Sequence, residues 1–167
     1  TEPPQASVDV PQWKLFGTAL HELDARGNAG EITTVVFSPD GLKLASADSS
    51  GVVRLWDGTT LQSVGYPLRD HTGGVASLAF SPDGSLLASV DVIGTLRLWE
   101  VTTGQLSQAP IENGADLILK LEFSPEGKLL SRLADGAIAL FDPKSGQTAP
   151  LSPSLEGDLT TARALFG

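Results

Sequence analysis

Hydrophobic positions along this chain fall in runs of five or six residues, each closed by a cluster of turn-forming residues. Val75 to Phe80, Leu86 to Val90 and Thr95 to Trp99 are three such runs, and a weaker one lies near Gln105 to Ile111. Runs this short, bounded by Gly, Pro, Asp and Ser, predict β-strands rather than helices. Val75 to Phe80 is apolar at every position but Ser77, and the corresponding run ending at Phe37 is apolar from Val35 on. That pattern suits strands covered on both faces.

The runs repeat. Phe37-Ser38-Pro39-Asp40-Gly41, Phe80-Ser81-Pro82-Asp83-Gly84 and Phe123-Ser124-Pro125-Glu126-Gly127 follow one another at a spacing of 43 residues. A second block keeps step with the first: Arg54-Leu55-Trp56-Asp57, Arg97-Leu98-Trp99-Glu100 and Ala139-Leu140-Phe141-Asp142. In Ser-Pro-Asp-Gly the proline presets φ and the glycine closes the turn, as a hairpin needs. Each repeat therefore reads as four short antiparallel strands, a to d. Complete repeats are expected at about 31–70, 74–112 and 116–154. Partial ones are expected at 12–27, where Gln12 to Phe16 aligns with Val52 to Trp56, and at 158–167, where Phe166 lies 43 residues beyond Phe123. Residues 1–11 read as a linker or tail.

Composition narrows the function classes. The 167 residues carry a net charge of −9, 41% hydrophobic residues, 18 Gly and 11 Pro. This is ordinary globular composition with many turns. An acidic surface without a local Lys/Arg cluster argues against nucleic acid and against anionic membrane. No stretch approaches 18 apolar residues, so no membrane span is expected. The absence of cysteine excludes disulfides, thiolate metal sites and a Cys nucleophile. It does not give the compartment, a cytoplasmic one being favoured. With no methionine, the first residue is expected not to be a translation start.

Period and motifs together resemble the WD-repeat family, over about residues 12 to 166. The resemblance implies an all-β fold, with each repeat a four-stranded blade of a β-propeller. The wording Ser-Pro-Asp-Gly and Leu-Leu-Ala-Ser is similar to the regular arrays of bacteria. Closed rings of this family have about seven blades, so an incomplete ring is expected here. Three arrangements are open: a segment of a larger propeller, two chains sharing one ring, or self-closure through the two partial blades.

The family often buries a network of Asp, His, Ser or Thr, and Trp in each blade. The resemblance assigns His71, Ser89 and Trp99 to it in the second repeat. The position before Gly94, where the family has Asp, holds Ile93, and Asp91 lies two residues earlier. The first repeat supplies Ser46 and Trp56, with Asn28 and Ser50 at the His and Asp positions. The third supplies Asp135, with Gly114 and Phe141 at the His and Trp positions. By this spacing no repeat has the whole set, which predicts a less stable array. As a base or metal ligand, His71 competes with its structural role, and the structural role is favoured. His21 is expected to be an exposed strand residue. Asp40, Asp83 and Glu126 hold equivalent turn positions one blade apart, too far from each other for joint chemistry.

No cofactor, metal site or catalytic residue is expected; there is no Gly-x-Ser-x-Gly elbow and no phosphate loop. The resemblance implies a protein or peptide partner, gripped by the loops ahead of strand a and the b–c turns. Matching positions are Ser49, Thr72, Gly73, Val92 and Ala134, all small or apolar. Lys120 and Glu122 depart from Ser77 and Ala79 of the preceding repeat and point the same way. They predict either a local ion pair or an exposed, partner-facing surface. The leading expectation is a protein-binding scaffold or sensor module, its partner carrying basic residues. The rivals are a structural subunit that completes a ring with another chain, such as a homodimer, and a propeller hydrolase.

Overall fold

The computed structural model describes residues 30–112, 118–134 and 138–151. The expected tail, both partial blades, His21, Asn28, Gly114 and Asp135 lie outside them. Twelve strands and no helix are found among the described residues. They form three sheets of four strands each, every pairing antiparallel and every sheet in chain order.

Blade 1 contains β1 (Ile32–Phe37), β2 (Lys43–Asp48), β3 (Val53–Asp57) and β4 (Ser63–Leu68). Blade 2 contains β5 (Val75–Phe80), β6 (Leu86–Asp91), β7 (Thr95–Glu100) and β8 (Ile111–Glu112). Blade 3 contains β9 (Ile118–Phe123), β10 (Leu129–Leu133), β11 (Ile138–Asp142) and β12 (Gln147–Leu151). The outer strand of blade 2 is shorter than its apolar run suggests. Only two residues pair, preceded by a single bridge between Trp99 and Leu106.

The a–b turns follow directly from the repeated tetrapeptide. Gly84 N–H donates to Ser81 O at 2.9 Å. The Ser81 hydroxyl donates to Asp83 Oδ1 at 2.6 Å, and Asp83 also accepts Ser85 N–H at 3.0 Å. Gly84 has φ +69°, a region that side chains disfavour. The Ser81 hydroxyl and the two Ser85 donors pull the Asp83 pKa down to about 2.

Alternation along each strand decides which blade a side chain meets. Leu55 and Leu98 face the following blade, while Trp56 and Trp99 face the other way. Ala45, Ala47, Val53 and Leu55 of blade 1 close on Val75, Leu78, Phe80, Leu87 and Trp99 of blade 2. Ala79, Ala88, Val90, Leu96 and Leu98 of blade 2 close on Ile118, Leu121, Leu129, Leu133 and Phe141 of blade 3. Small residues on one side and large ones on the other let the sheets interdigitate. The inner strands line up side by side, β5 between β1 and β9. Each inner strand carries a bulge near its start, at Ile32/Thr34 and Val75/Ser77, matched by the shift at Arg132/Leu133 opposite β9.

Candidate functional site

The b–c turns are shaped by an aspartate at the end of strand b. Asp48 Oδ1 accepts the N–H groups of Ser50 and Val52 at 2.9 and 3.0 Å, and the Ser50 hydroxyl at 2.6 Å. Asp91 Oδ1 likewise accepts Ile93 N–H at 3.2 Å and Thr95 N–H at 2.9 Å. Burial pushes the Asp48 carboxyl up, but the Ser50 hydroxyl and the backbone donors together hold it below its ordinary value.

In blade 2 the same aspartate completes a network. Asp91 Oδ2 lies 3.0 Å from His71 Nδ1, and His71 Nε2 lies 2.6 Å from Ser89 Oγ. Trp99 Nε1 donates to that same hydroxyl at 2.7 Å. Spacing alone puts the aspartate directly before Gly94, where Ile93 stands, so that no repeat is expected to hold the whole set. The structure corrects this: Asp91 reaches the imidazole from two residues earlier. The partners assign the protons. Trp99 N–H donates to Ser89, Ser89 O–H donates to Nε2, and Nδ1–H donates to the carboxylate. All four residues are buried, and the His71 and Trp99 rings meet edge-on, 6.3 Å between centroids. Burial holds the imidazole pKa below its ordinary value, against the pull of Asp91 toward the cation.

Ser89, His71 and Asp91 stand in the order of a nucleophilic triad. Burial decides against that chemistry. Ser89 and Asp91 have no exposed surface, and the Ser89 oxygen already accepts Trp99. No carbonyl substrate can approach it. The network instead ties the loop ahead of β5 to strands b and c. A second tie reinforces it: Arg97 Nη2 donates to Asp70 O at 2.6 Å, with Nη1 3.1 Å from Asp70 Oδ2.

The other blades hold parts of this arrangement. In blade 1, Trp56 Nε1 donates to Ser46 Oγ at 2.8 Å. In blade 3, Ser131 pairs with Leu121 as Ser89 pairs with Leu78, so it occupies the serine position. Phe141 offers it no donor, and its hydroxyl turns to Ala139 O at 3.3 Å. Leu133 stands opposite Ile118 as Asp91 stands opposite Val75, so a leucine holds the strand-end position of Asp91 there. Sequence reading missed Ser131 because the a–b turn of blade 3 is one residue tighter. Ser124 N–H reaches Lys128 O, whereas Ser81 N–H reaches Leu86 O. Asp135 lies outside the described residues.

Above the network, each b–c turn is bonded to the loop ahead of its own blade's inner strand: Ser49 N–H donates to Glu31 O at 2.8 Å, and Val92 N–H donates to Gly74 O at 2.8 Å. Gly51 has φ +85°, and a Cβ there would come within 2.8 Å of the His71 and Gly73 carbonyl oxygens. Only glycine lets the b–c turn of blade 1 lie against the loop ahead of β5. A Cβ at Gly73 would in turn approach Val92 Cγ2 at 3.2 Å. The fold thus gathers Ser49, Thr72, Gly73 and Val92 at one end of blades 1 and 2, and exposed Ala134 follows β10 at the matching end of blade 3. Val92 and Ile93 expose 54% and 60% of their surfaces. Ile93 was missed as a surface residue; its signal was an apolar side chain where the resemblance expects aspartate.

Lys120 and Glu122 lie elsewhere, on the β9 face turned away from blade 2. Their side chains are 57% and 42% exposed and 3.9 Å apart. They form a loose ion pair on an open face, and neither is a stranded buried charge. On the outer rim, a groove of about 300 Å³ runs between Val64–Leu68 and Val101–Gln105. Its lining holds no carboxylate, histidine or basic side chain. Among the described residues, no group of three or more His, Cys, Asp or Glu could hold a metal ion.

Comparison with known proteins agrees with this geometry. Residues 17–57 and 62–100 match the WD domain, G-beta repeat. The second match runs from β4 through β7, so a repeat joins the outer strand of one blade to three strands of the next. A protein named as the serine/threonine-protein kinase VPS15 of Komagataella pastoris is 36% identical over 63 residues, 38% of this chain and 5% of that protein. The Cps50 (Swd1) β-propeller domain of Myceliophteria thermophila superimposes with a TM-score of 0.64 at 24% identity, over 75% of this chain and 40% of that one. U3-55K gives 0.69 at 22% identity with the same coverage. The chain therefore spans less than half the length of each of these proteins. With its matched repeats, blade topology and interlocked b–c turns, the chain belongs to the WD-repeat β-propeller family.

Proposed function

We propose that this chain is a protein-binding scaffold module that grips its partner at the loop end formed by Ser49, Thr72, Gly73, Val92 and Ile93. One observation carries the reading. Val92 and Ile93 project into solvent from a turn whose base is held by Asp91 and the buried network. Two exposed aliphatic side chains on a rigid support form an apolar anchor with little ordering cost. The surrounding loop residues are small, so a peptide or domain surface can approach closely. The net charge of −9 favours a partner whose contacting segment is apolar with basic residues around it. Catalysis has no support at this end, since His71 has both ring nitrogens engaged below the surface.

The test compares two surface variants of the intact chain. Val92→Asp with Ile93→Asp places charges at the anchor, and Leu42→Asp alters an exposed residue of an a–b turn at the opposite end. A partner captured by the unaltered chain should be retained by Leu42→Asp and lost from the double variant. Equal retention by both would place binding elsewhere on the molecule.

A further inference from the structure

The rim groove between blades 1 and 2 carries a chemistry that the loop end does not use. Leu55, Val64, Leu68 and Val101 supply its apolar lining, and Thr103 is among its polar residues. Tyr66 lines it as well, with 92% of its surface exposed, so the ring is open to a partner. Glu100 stands beside the lining. Its Oε2 accepts the Thr103 hydroxyl at 3.2 Å, which holds the carboxylate at the lip of the groove. Glu100 is exposed and has no basic side chain within ion-pair distance among the described residues.

An outer strand commonly takes a partner by strand addition. β4 is broken for that purpose. Val64 pairs with Leu55 and Leu68 with Val53, so three residues of β4 stand against Arg54 alone. Within that bulge Gly65 has φ +70°, and Pro67 has no N–H to offer. No regular ladder can extend along this edge. What the rim can still receive is a side chain, entering the groove of about 300 Å³ beside the bulge.

We propose that this groove is a second partner contact, one that takes an arginine side chain from a protein or peptide. The proposal rests on the reading of the chain as a protein-binding module, and it is independent of the loop end. Charge selects the occupant. No basic side chain lines the groove and the chain carries −9, so a carboxylate or phosphate is repelled. A purely apolar side chain would strip water from the Glu100 carboxylate and give it nothing in return. An arginine meets each feature with a different part of itself. Its methylene stem lies along the aliphatic lining, its planar guanidinium stacks on Tyr66, and its N–H groups pair with Glu100. The ammonium of lysine is compact and more strongly hydrated, and stacks less well.

The experiment uses the intact chain and the peptide N-acetyl-Leu-Arg-Leu-amide, with citrulline replacing arginine as the uncharged match. Tyr66 is the single tyrosine of the chain, so ring-labelled tyrosine reports this groove alone by nuclear magnetic resonance. The arginine peptide should shift the ring signals saturably, and the citrulline peptide should bind about five-fold or more weakly. By fluorescence anisotropy of the tagged arginine peptide, Tyr66→Leu and Glu100→Gln should each weaken binding about two- to five-fold. Both side chains are exposed, so neither change empties the core. Val92→Asp with Ile93→Asp should leave this affinity unchanged, which separates the groove from the loop end. Equal affinity for the two peptides overturns the proposal, as does binding that leaves the Tyr66 ring signals in place. Loss of the arginine peptide from the Val92 and Ile93 variant assigns it to the loop end and also overturns it. Ring signals that move with protein concentration in the absence of peptide assign the groove to a second copy, with the same consequence.

Discussion

Blades 2 and 3 share a strand order and nearly the same spacing, yet they are held together differently. Blade 2 stacks an apolar joint on each face and locks its loop end with a four-membered polar network. Blade 3 keeps the apolar contact with blade 2 but has Leu133 for the turn aspartate, Phe141 for the tryptophan and charges on its other face. The difference separates two jobs within one repeat. Hydrophobic alternation is enough to make a blade and dock it. The network does something further: it fixes the b–c turn and the loop ahead of strand a relative to each other. The exposed apolar tip, Val92-Ile93, occurs on the blade where that lock is complete.

The largest break in this comparison should come from Trp99→Ala, which removes both the joint filler and the donor to Ser89. A loss of about 3–5 kcal/mol in denaturant unfolding is expected. Phe141→Ala should cost less, because Phe141 carries no network bond and packs at a single joint. Equal losses would mean that the network adds nothing to packing. Next comes Asp91→Ala, which strands His71 Nδ1–H and the turn N–H groups of Ile93 and Thr95. About 2–4 kcal/mol is expected, and amide exchange at Thr95 should speed up more than at Leu87.

Acid should reveal the same lock. The folded His71 pKa lies below 6.5, so on acidification the unfolded chain binds a proton before the native chain does. Stability is therefore full above about pH 6.5 and declines below it. The melting temperature should drop between pH 7.5 and 5.5, and His71→Gln should flatten that stretch of the profile. An unchanged slope in the variant would assign the effect to other groups. The smallest effect is a repair. Phe141→Trp supplies blade 3 with a donor near Ser131 and should add about 0.5–1.5 kcal/mol if the ring fits. A loss instead would show that this joint has no room for an indole.

Much of the fold was legible from one chain. The hydrophobic runs, the Ser-Pro-Asp-Gly turns and the 43-residue spacing imply antiparallel blades, because strand and turn formation depend on neighbours a few residues apart. Part of the candidate site was legible too: His71, Ser89 and Trp99 are brought together, as are Ser49, Thr72, Gly73 and Val92. Asp91 was not, because a carboxylate can reach the imidazole from more than one turn position, and spacing alone favoured residue 93. Ser131 escaped because a one-residue tightening at Ser124 to Lys128 displaces the register of strand b without disturbing the repeat of Phe-Ser-Pro.

By itself the sequence determined the blades, their turns and the alternation that sorts side chains to opposite faces, since these are local consequences of covalent geometry and burial. Tertiary structure alone decided which faces meet, that Asp91 closes the network, and that Lys120 and Glu122 stand exposed where Ser77 and Ala79 of the preceding blade are buried. Those outcomes depend on groups far apart in the chain reaching hydrogen-bond distance. No count of residues along the chain carries that distance.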